Sequence, residues 1–232
     1  MSIDPEAQAV AQRYARRTET GLYSMLRPEV WQTQQERQRA MLKLFAGMGW
    51  RELGSLHLLE VGCGSGANLL ELLHLGFTPQ HLAGVELLAD RFAMAGARLP
   101  SAVSLWAGDA TRLELPSACK DVVLVSTVFS SLLDDAYQQR LADAMWHWVK
   151  PGGGVLWYDF TVDNPANPDV RGVALRRVRE LFPQGQVQAR RITLAPPIAR
   201  RVVRLHPCLY TVFNTLPWLR THLLAWIAKA RG

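Results

Sequence analysis

Residues 60–70 of the chain read EVGCGSGANLL, a carboxylate at Glu60 followed by glycines at 62, 64 and 66. Glycine carries no side chain and tolerates positive φ, so such a loop lets backbone N–H groups come up against a ligand. Two ligand chemistries suit it. Gly62, Gly64 and Ala67 fit the G-x-G-x-x-G/A spacing that cradles a dinucleotide pyrophosphate. Glu60, Gly62, Gly64 and Gly66 equally fit an acid-x-G-x-G-x-G spacing that holds S-adenosylmethionine. Glu60 separates the two, because a carboxylate at the mouth of the loop repels a pyrophosphate and attracts an ammonium and a sulfonium.

Two further acids fall at telling places. Glu86 ends a second apolar run, 22 residues after Gly64, where a carboxylate can accept both hydroxyls of a ribose. Asp109, in AGDAT, ends a third, placed to accept from an adenine amino group, with Ala110 supplying backbone contact. Taken in order, LEVGCGSG (59–66), GVEL (84–87), GDA (108–110), LVSTVFSSL (124–132) and VKPGGGVLWYDF (149–160) resemble the successive motifs of class I S-adenosylmethionine-dependent methyltransferases. The resemblance covers about residues 55–160. It implies that Glu60, Gly62, Cys63, Gly64 and Gly66 meet the methionine end of the cofactor. It likewise implies Glu86 and Leu87 at the ribose, Asp109 and Ala110 at the adenine, and Ser126 beside the reacting centre. The side chain of Cys63 reads as packing.

Methyl transfer asks a protein to align the acceptor, exclude water and remove a proton where the acceptor holds one tightly. Asp159, after the fifth apolar run, is the expected base, with Tyr158 beside it on the acceptor side. His206 and His222 are weaker alternatives. The stretch NPANPDVRG puts Asn164, Asn167 and Arg171 in a proline-stiffened loop able to hydrogen-bond a polar acceptor. The three cysteines are widely spaced and make no metal-binding pattern, so no metal is expected.

The elements that must position these groups alternate. LHLLEV, HLAGVEL, AVSLWAG, DVVLVSTV and GGVLWYDF read as strands, separated by helical stretches such as GANLLELLHLG and ADRFAMAGARL. Strand–helix alternation implies right-handed crossovers and a parallel sheet. Residues 5–17 and 28–47 read as preceding helices, and VALRRVRELF and VQARRITL as a later helix and strand. HLLAWIAKA fits a last strand or a short helix equally well. The expected architecture is a Rossmann-like α/β fold with a seven-stranded, mostly parallel sheet flanked by helices. One domain is expected over 1–232: an N-terminal helical extension (1–54), a cofactor-binding core (55–160) and a basic acceptor-side tail with a lid (161–232).

Net charge is +6 over 232 residues, but its placement is lopsided. Residues 171–232 hold twelve basic side chains against Glu180 alone, a net +11, which leaves −5 for the first 170. Such a tail faces something anionic or simply water. Arg200, Arg201 and Arg204 alternate with Val202, Val203, Leu205, Leu209, Tyr210, Phe213 and Trp218, a mixture able to rest on an anionic membrane surface. The tail also resembles, loosely, those of bacterial family members associated with cell-surface polysaccharide biosynthesis. The expectation is therefore an O-methyltransferase for a small-molecule or glycan acceptor, cytoplasmic or peripheral to the inner membrane face. RNA methylation, motivated by the basic tail, lacks a recognisable RNA-binding module or base-stacking array. A non-catalytic S-adenosylmethionine-binding protein is the other alternative. No apolar run reaches membrane-spanning length, and the polar, helical N-terminus is not expected to be a secretory signal.

Overall fold

The computed structural model describes residues 4–16, 21, 24–164 and 167–231. Arg17, expected to close the first helix, and Pro165 and Ala166 of the Asn-Pro loop lie outside them.

Helix α1 (Pro5–Ala15) starts where Asp4 accepts a hydrogen bond from the Glu6 N–H at 2.9 Å, with Pro5 preset for the first turn. Helix α2 (Pro28–Gly47) follows. The core then alternates as expected: β1 (Leu58–Val61), α3 (Ala67–Leu75), β2 (Leu82–Glu86), α4 (Ala89–Arg98), β3 (Ser104–Ala107), β4 (Lys120–Ser126), α5 (Asp135–Trp148) and β5 (Val149–Phe160). Gly66 (φ 81°) and Gly76 (φ 111°) bound α3, each in the left-handed region that glycine occupies without strain. Asp134 caps α5 by accepting from the Tyr137 N–H at 2.6 Å.

Beyond Phe160 come α6 (Leu175–Leu181), β6 (Gln186–Leu194), α7 (Pro196–Leu205), α8 (Cys208–Asn214) and β7 (Arg220–Ala228). HLLAWIAKA is therefore strand. The sheet order is β3-β2-β1-β4-β5-β7-β6, with β7 antiparallel to both of its neighbours and the other pairings of the core parallel.

Side chains alternate across this sheet. Leu58, Val122, Leu124, Leu156 and Trp226 pack toward α2 and α3, with Phe45 and Leu72. Leu59, Val123, Val125, Val155 and Ile227 pack toward α5, with Leu141 and Met145. A smaller apolar cluster, Leu194, Ala199, Val202, Val203 and Tyr210, fixes α7 and α8. That pair is tied to α2 through Glu36, whose carboxylate accepts from the Thr193 N–H, the Tyr210 hydroxyl (2.7 Å) and the Asn214 side-chain amide (2.6 Å).

Candidate active site

The parallel strands deliver their C-terminal ends to one edge, where open α/β sheets place ligands. Gly62 and Cys63 both donate to the Val85 carbonyl (2.9 and 3.1 Å), which stitches the glycine loop to β2. Glu86 then braces the loop from the side. It accepts from the Gly64 N–H at 2.7 Å and from the Leu88 N–H at 2.9 Å. A crevice of about 710 Å³, open solvent at its mouth included, lies beside this assembly.

Of the residues expected at the cofactor, Gly62, Glu86, Leu87, Asp109, Ala110 and Ser126 line the crevice. Asp109 accepts at Oδ1 from the Thr111 N–H and hydroxyl (2.8 Å each) and from the Tyr137 hydroxyl (2.7 Å). Its Oδ2 is buried without a hydrogen bond, 4.0 Å from Arg112 Nε, an acceptor that a ligand donor would satisfy. Gly64 has φ 56° and open space where a side chain would stand, whereas a Cβ on Gly62 would come within 2.6 Å of Val128 Cγ2. One glycine is needed for packing, and the other leaves room.

Glu60, Cys63, Gly64 and Gly66 are not among the residues that line the crevice. Glu60 lies on β1 between β2 and β4, paired with Gly84 and Leu124, and is wholly buried. Its parity with Leu58 turns it toward α3, where Oε1 accepts from Asn68 Nδ2 at 2.6 Å and Oε2 has no partner. Burial pushes its carboxyl up to about 8. Cys63 is a packing residue: a Cβ added to Gly84 would meet its Sγ at 2.7 Å.

Sequence reasoning missed several parts of this site. Helix α1 covers one side of the crevice with Val10 and Tyr14. It is held down by Arg13, which donates to the Ser131 carbonyl at 3.0 Å and pairs with Glu6 at 2.5 Å. Glu6 in turn accepts from the Leu133 N–H at 2.7 Å. Arg91 stacks over the Tyr14 ring at 4.6 Å. Thr127, another lining residue, sits at φ 55°, a strained conformation for a β-branched residue, held by its N–H to the Tyr158 carbonyl at 2.8 Å. No motif marks any of these.

A second cavity lies under the end of β4, bordered by Arg37, Asn68, Glu71, Tyr158 and again Ser126. Tyr158 belongs to it, its hydroxyl bonded to Thr193 Oγ1 at 2.9 Å and its ring stacked on His222 at 4.9 Å. Asp159, the next residue along the strand, points to the opposite face. It is buried and accepts from the Ser130 and Phe160 N–H groups at 3.0 and 2.9 Å. It lines neither cavity, so this geometry gives Asp159 the task of holding the 129–131 turn. Asn167 caps its own turn by accepting from the Asp169 N–H at 3.1 Å. The Arg171 N–H donates to the Ser130 carbonyl, and its guanidinium pairs with Asp135. With Asn164, which accepts from the Asn167 N–H through its carbonyl, they form a braced loop and line neither cavity. His206 is exposed; burial and Arg37 lower His222 to about 4, leaving it neutral.

Residues 58–153 match the family model described as a methyltransferase domain. By that match, this stretch is a methyltransferase domain. No curated protein matches the sequence significantly. Among solved structures, the chain resembles phosphoethanolamine N-methyltransferase 2 of Haemonchus contortus, solved with S-adenosyl-L-methionine (TM-score 0.66, 15% identity, 95% of this chain and 60% of that one). It also resembles geranyl diphosphate C-methyltransferase of Streptomyces coelicolor A3(2) (TM-score 0.66, 12% identity, 98% of each chain). A third likeness is an S-adenosylmethionine-dependent methyltransferase of Mesorhizobium loti (TM-score 0.59, 17% identity, 89% of this chain and 100% of that one). At these identities the likeness is one of fold. Among the described residues no helix is long and apolar enough to cross a membrane, and no cluster of His, Cys, Asp or Glu could hold a metal.

Proposed function

We propose that the methyltransferase binds S-adenosylmethionine in the crevice and methylates a hydroxyl of a small-molecule or glycan acceptor. Bound there, the cofactor supplies an electrophilic methyl group on a sulfonium, a leaving group that needs no help from the protein. Gly62, Glu86, Leu87, Asp109 and Ala110 would hold its nucleoside, with Asp109 Oδ2, which has no hydrogen bond, accepting from the adenine amino group. The observation that supports the reading best is the crevice itself, which gathers Val61, Glu86, Gly108 and Ser126 from the C-terminal ends of β1, β2, β3 and β4. Helix α1 on one side of the crevice keeps water out.

Helices α7 and α8 form the lid of this proposal and also carry its membrane-facing surface. Arg201 and Arg204 are exposed beside Leu205, which is 82% exposed, with Val212 and Trp218 in the same tail. Cationic and apolar side chains in one surface segment suit an anionic bilayer surface, where lipid-linked acceptors reside.

Purified enzyme given S-adenosylmethionine with a labelled methyl group, together with separated glycan, lipid, RNA and small-molecule extracts, tests the reading. Label should enter a glycan or small-molecule fraction and survive hydrolysis as an O-methyl ether. Label found on RNA, or on nitrogen, overturns it.

A further inference from the structure

Of the eight tryptophans, three are buried, three half-buried and two exposed, Trp31 at 42% and Trp218 at 71%. Strand direction puts both exposed ones on the edge of the sheet where the crevice opens. Trp218 lies in the turn that enters β7, and β7 runs antiparallel to β5, with His222 opposite Phe160 at the C-terminal end of β5. Helix α2 also runs against β5. Just past its C-terminus Trp50 meets Trp226 (ring centroids 5.4 Å apart), and its Ala40 carbonyl accepts from Arg190, the partner of Leu224. Arg37 is 3.5 Å from Ser126, at the end of β4. Trp31, six residues and about 9 Å earlier along the helix, therefore overhangs the crevice edge. Met25 and Leu26, immediately ahead of α2, are exposed, Leu26 at 94%.

Helices α7 and α8 leave from the end of β6 and return to the start of β7, so they occupy that same edge. Thr33 of α2 meets Tyr210 of α8 there, their hydroxyls 3.2 Å apart. The two limbs share a chemistry. Exposed leucines and a valine seek an apolar medium, and an indole suits the boundary between headgroups and acyl chains. Arg200, Arg201 and Arg204 seek an anionic one, in a stretch without a single acid after Glu180. Glu29, at the start of α2, is paired with Arg27 at 3.1 Å.

We propose that this edge docks on an anionic lipid bilayer through two limbs, Leu26 and Trp31 on one and Leu205, Val212 and Trp218 on the other. The acceptor is then an amphiphile whose hydroxyl-bearing head reaches the crevice edge while its apolar part stays in the bilayer. The inference deepens the function proposed above and rests on the cofactor occupying the crevice. Nucleic acid would answer the arginines and leave the leucines and valine in water. A second copy of the chain, docked about a twofold axis, would bring the acid-free cationic segment against itself. An anionic bilayer answers both kinds of side chain.

The test floats the full chain with vesicles of phosphatidylcholine, with and without phosphatidylglycerol, and reads tryptophan fluorescence with brominated acyl chains in the vesicles. Wild type should float with the anionic vesicles, and brominated chains should quench it. Trp31→Phe and Trp218→Phe should each remove part of the quenching, and the double variant most of it. Leu26→Asp and Leu205→Asp change side chains that stand in water, so the fold is spared. Each should weaken vesicle partitioning about tenfold or more, with calorimetric affinity for S-adenosylhomocysteine unchanged. No flotation with anionic vesicles, quenching that survives in the double variant, or partitioning indifferent to both leucine changes overturns the proposal. So does a wild-type dimer that either leucine change dissociates, since the edge would then be a contact between copies. Retention on RNA at a salt concentration that abolishes vesicle binding overturns it as well. S-adenosylhomocysteine binding without vesicle docking sinks the docking surface alone. Vesicle docking without S-adenosylhomocysteine binding sinks the cofactor reading, and with it the delivery of an acceptor from the bilayer.

Discussion

Replacing Asp159 with asparagine distinguishes a structural carboxylate from a catalytic one. In the fold Asp159 is buried and accepts from the Ser130 and Phe160 N–H groups, yet burial outweighs those bonds and pushes its carboxyl from 3.8 up to about 7. A folded-state pKa above the unfolded one means that the folded protein holds a proton the unfolded chain has released. The associated stability is complete below pH 3.8 and is lost as pH rises through about 7. At 1.36 kcal/mol per pH unit, wild type should lose about 3 kcal/mol from this residue between pH 4.5 and 8. Asparagine does not titrate. Its amide nitrogen also confronts one of the two N–H groups, at a cost of about 1–3 kcal/mol. Asp159→Asn should therefore be less stable than wild type at pH 4.5, and the deficit should shrink or reverse by pH 8. Urea unfolding followed by circular dichroism across that range gives the difference directly, and titrations common to both proteins cancel in it. A stability difference that stays flat with pH refutes the burial argument. Turnover abolished without any change in the stability profile would return Asp159 to catalysis.

Other variants probe the rest of the site. Glu86→Gln replaces a carboxylate that accepts from the Gly64 and Leu88 N–H groups, so S-adenosylhomocysteine affinity should fall about tenfold or more; unchanged calorimetric affinity would remove Glu86 from the cofactor site. Gly62→Ala drives a methyl to 2.6 Å from Val128 Cγ2, whereas Gly64→Ala meets open space. The first should therefore lose more stability than the ~1–2 kcal/mol of left-handed strain common to both, and equal losses in denaturant titrations would contradict the packing. Arg13→Met releases α1 from the Ser131 carbonyl and should weaken S-adenosylhomocysteine binding, detectable as a smaller thermal shift on ligand addition; an unaltered shift would show that α1 does not guard the crevice. Reversing Arg201 and Arg204 to glutamate should abolish co-sedimentation with vesicles containing phosphatidylglycerol, and retention on them would discount the membrane-facing surface.

How legible this protein is from its sequence differs element by element. The alternation of apolar runs and helical stretches from Leu58 to Phe160 follows from local periodicity and glycine punctuation, which depend only on neighbouring residues, and the fold follows those signals closely. Glu86, Asp109 and Ala110 could be located because strand ends and fixed intervals deliver them to one edge. HLLAWIAKA could not be assigned, because a nine-residue apolar stretch fits either period; pairing with β5 and β6 on both sides makes it a strand.

What the sequence determined by itself was the set of C-terminal strand ends, and with it the class of chemistry, since chain order, glycines and acids are all local facts. Tertiary structure decided which side chains of those strands are usable. Tyr158 and Asp159 are neighbours in sequence, yet the strand's two-residue period sends them to opposite faces, one into the second cavity and the other under the 129–131 turn. The same parity turns Glu60 toward Asn68 and away from the crevice. Arg37 and Glu71, 34 residues apart and silent in any local pattern, meet at 2.6 Å only because α2 and α3 pack on one face of the sheet. Periodicity records which way a residue faces, but the partner it finds there depends on packing between elements distant in the chain.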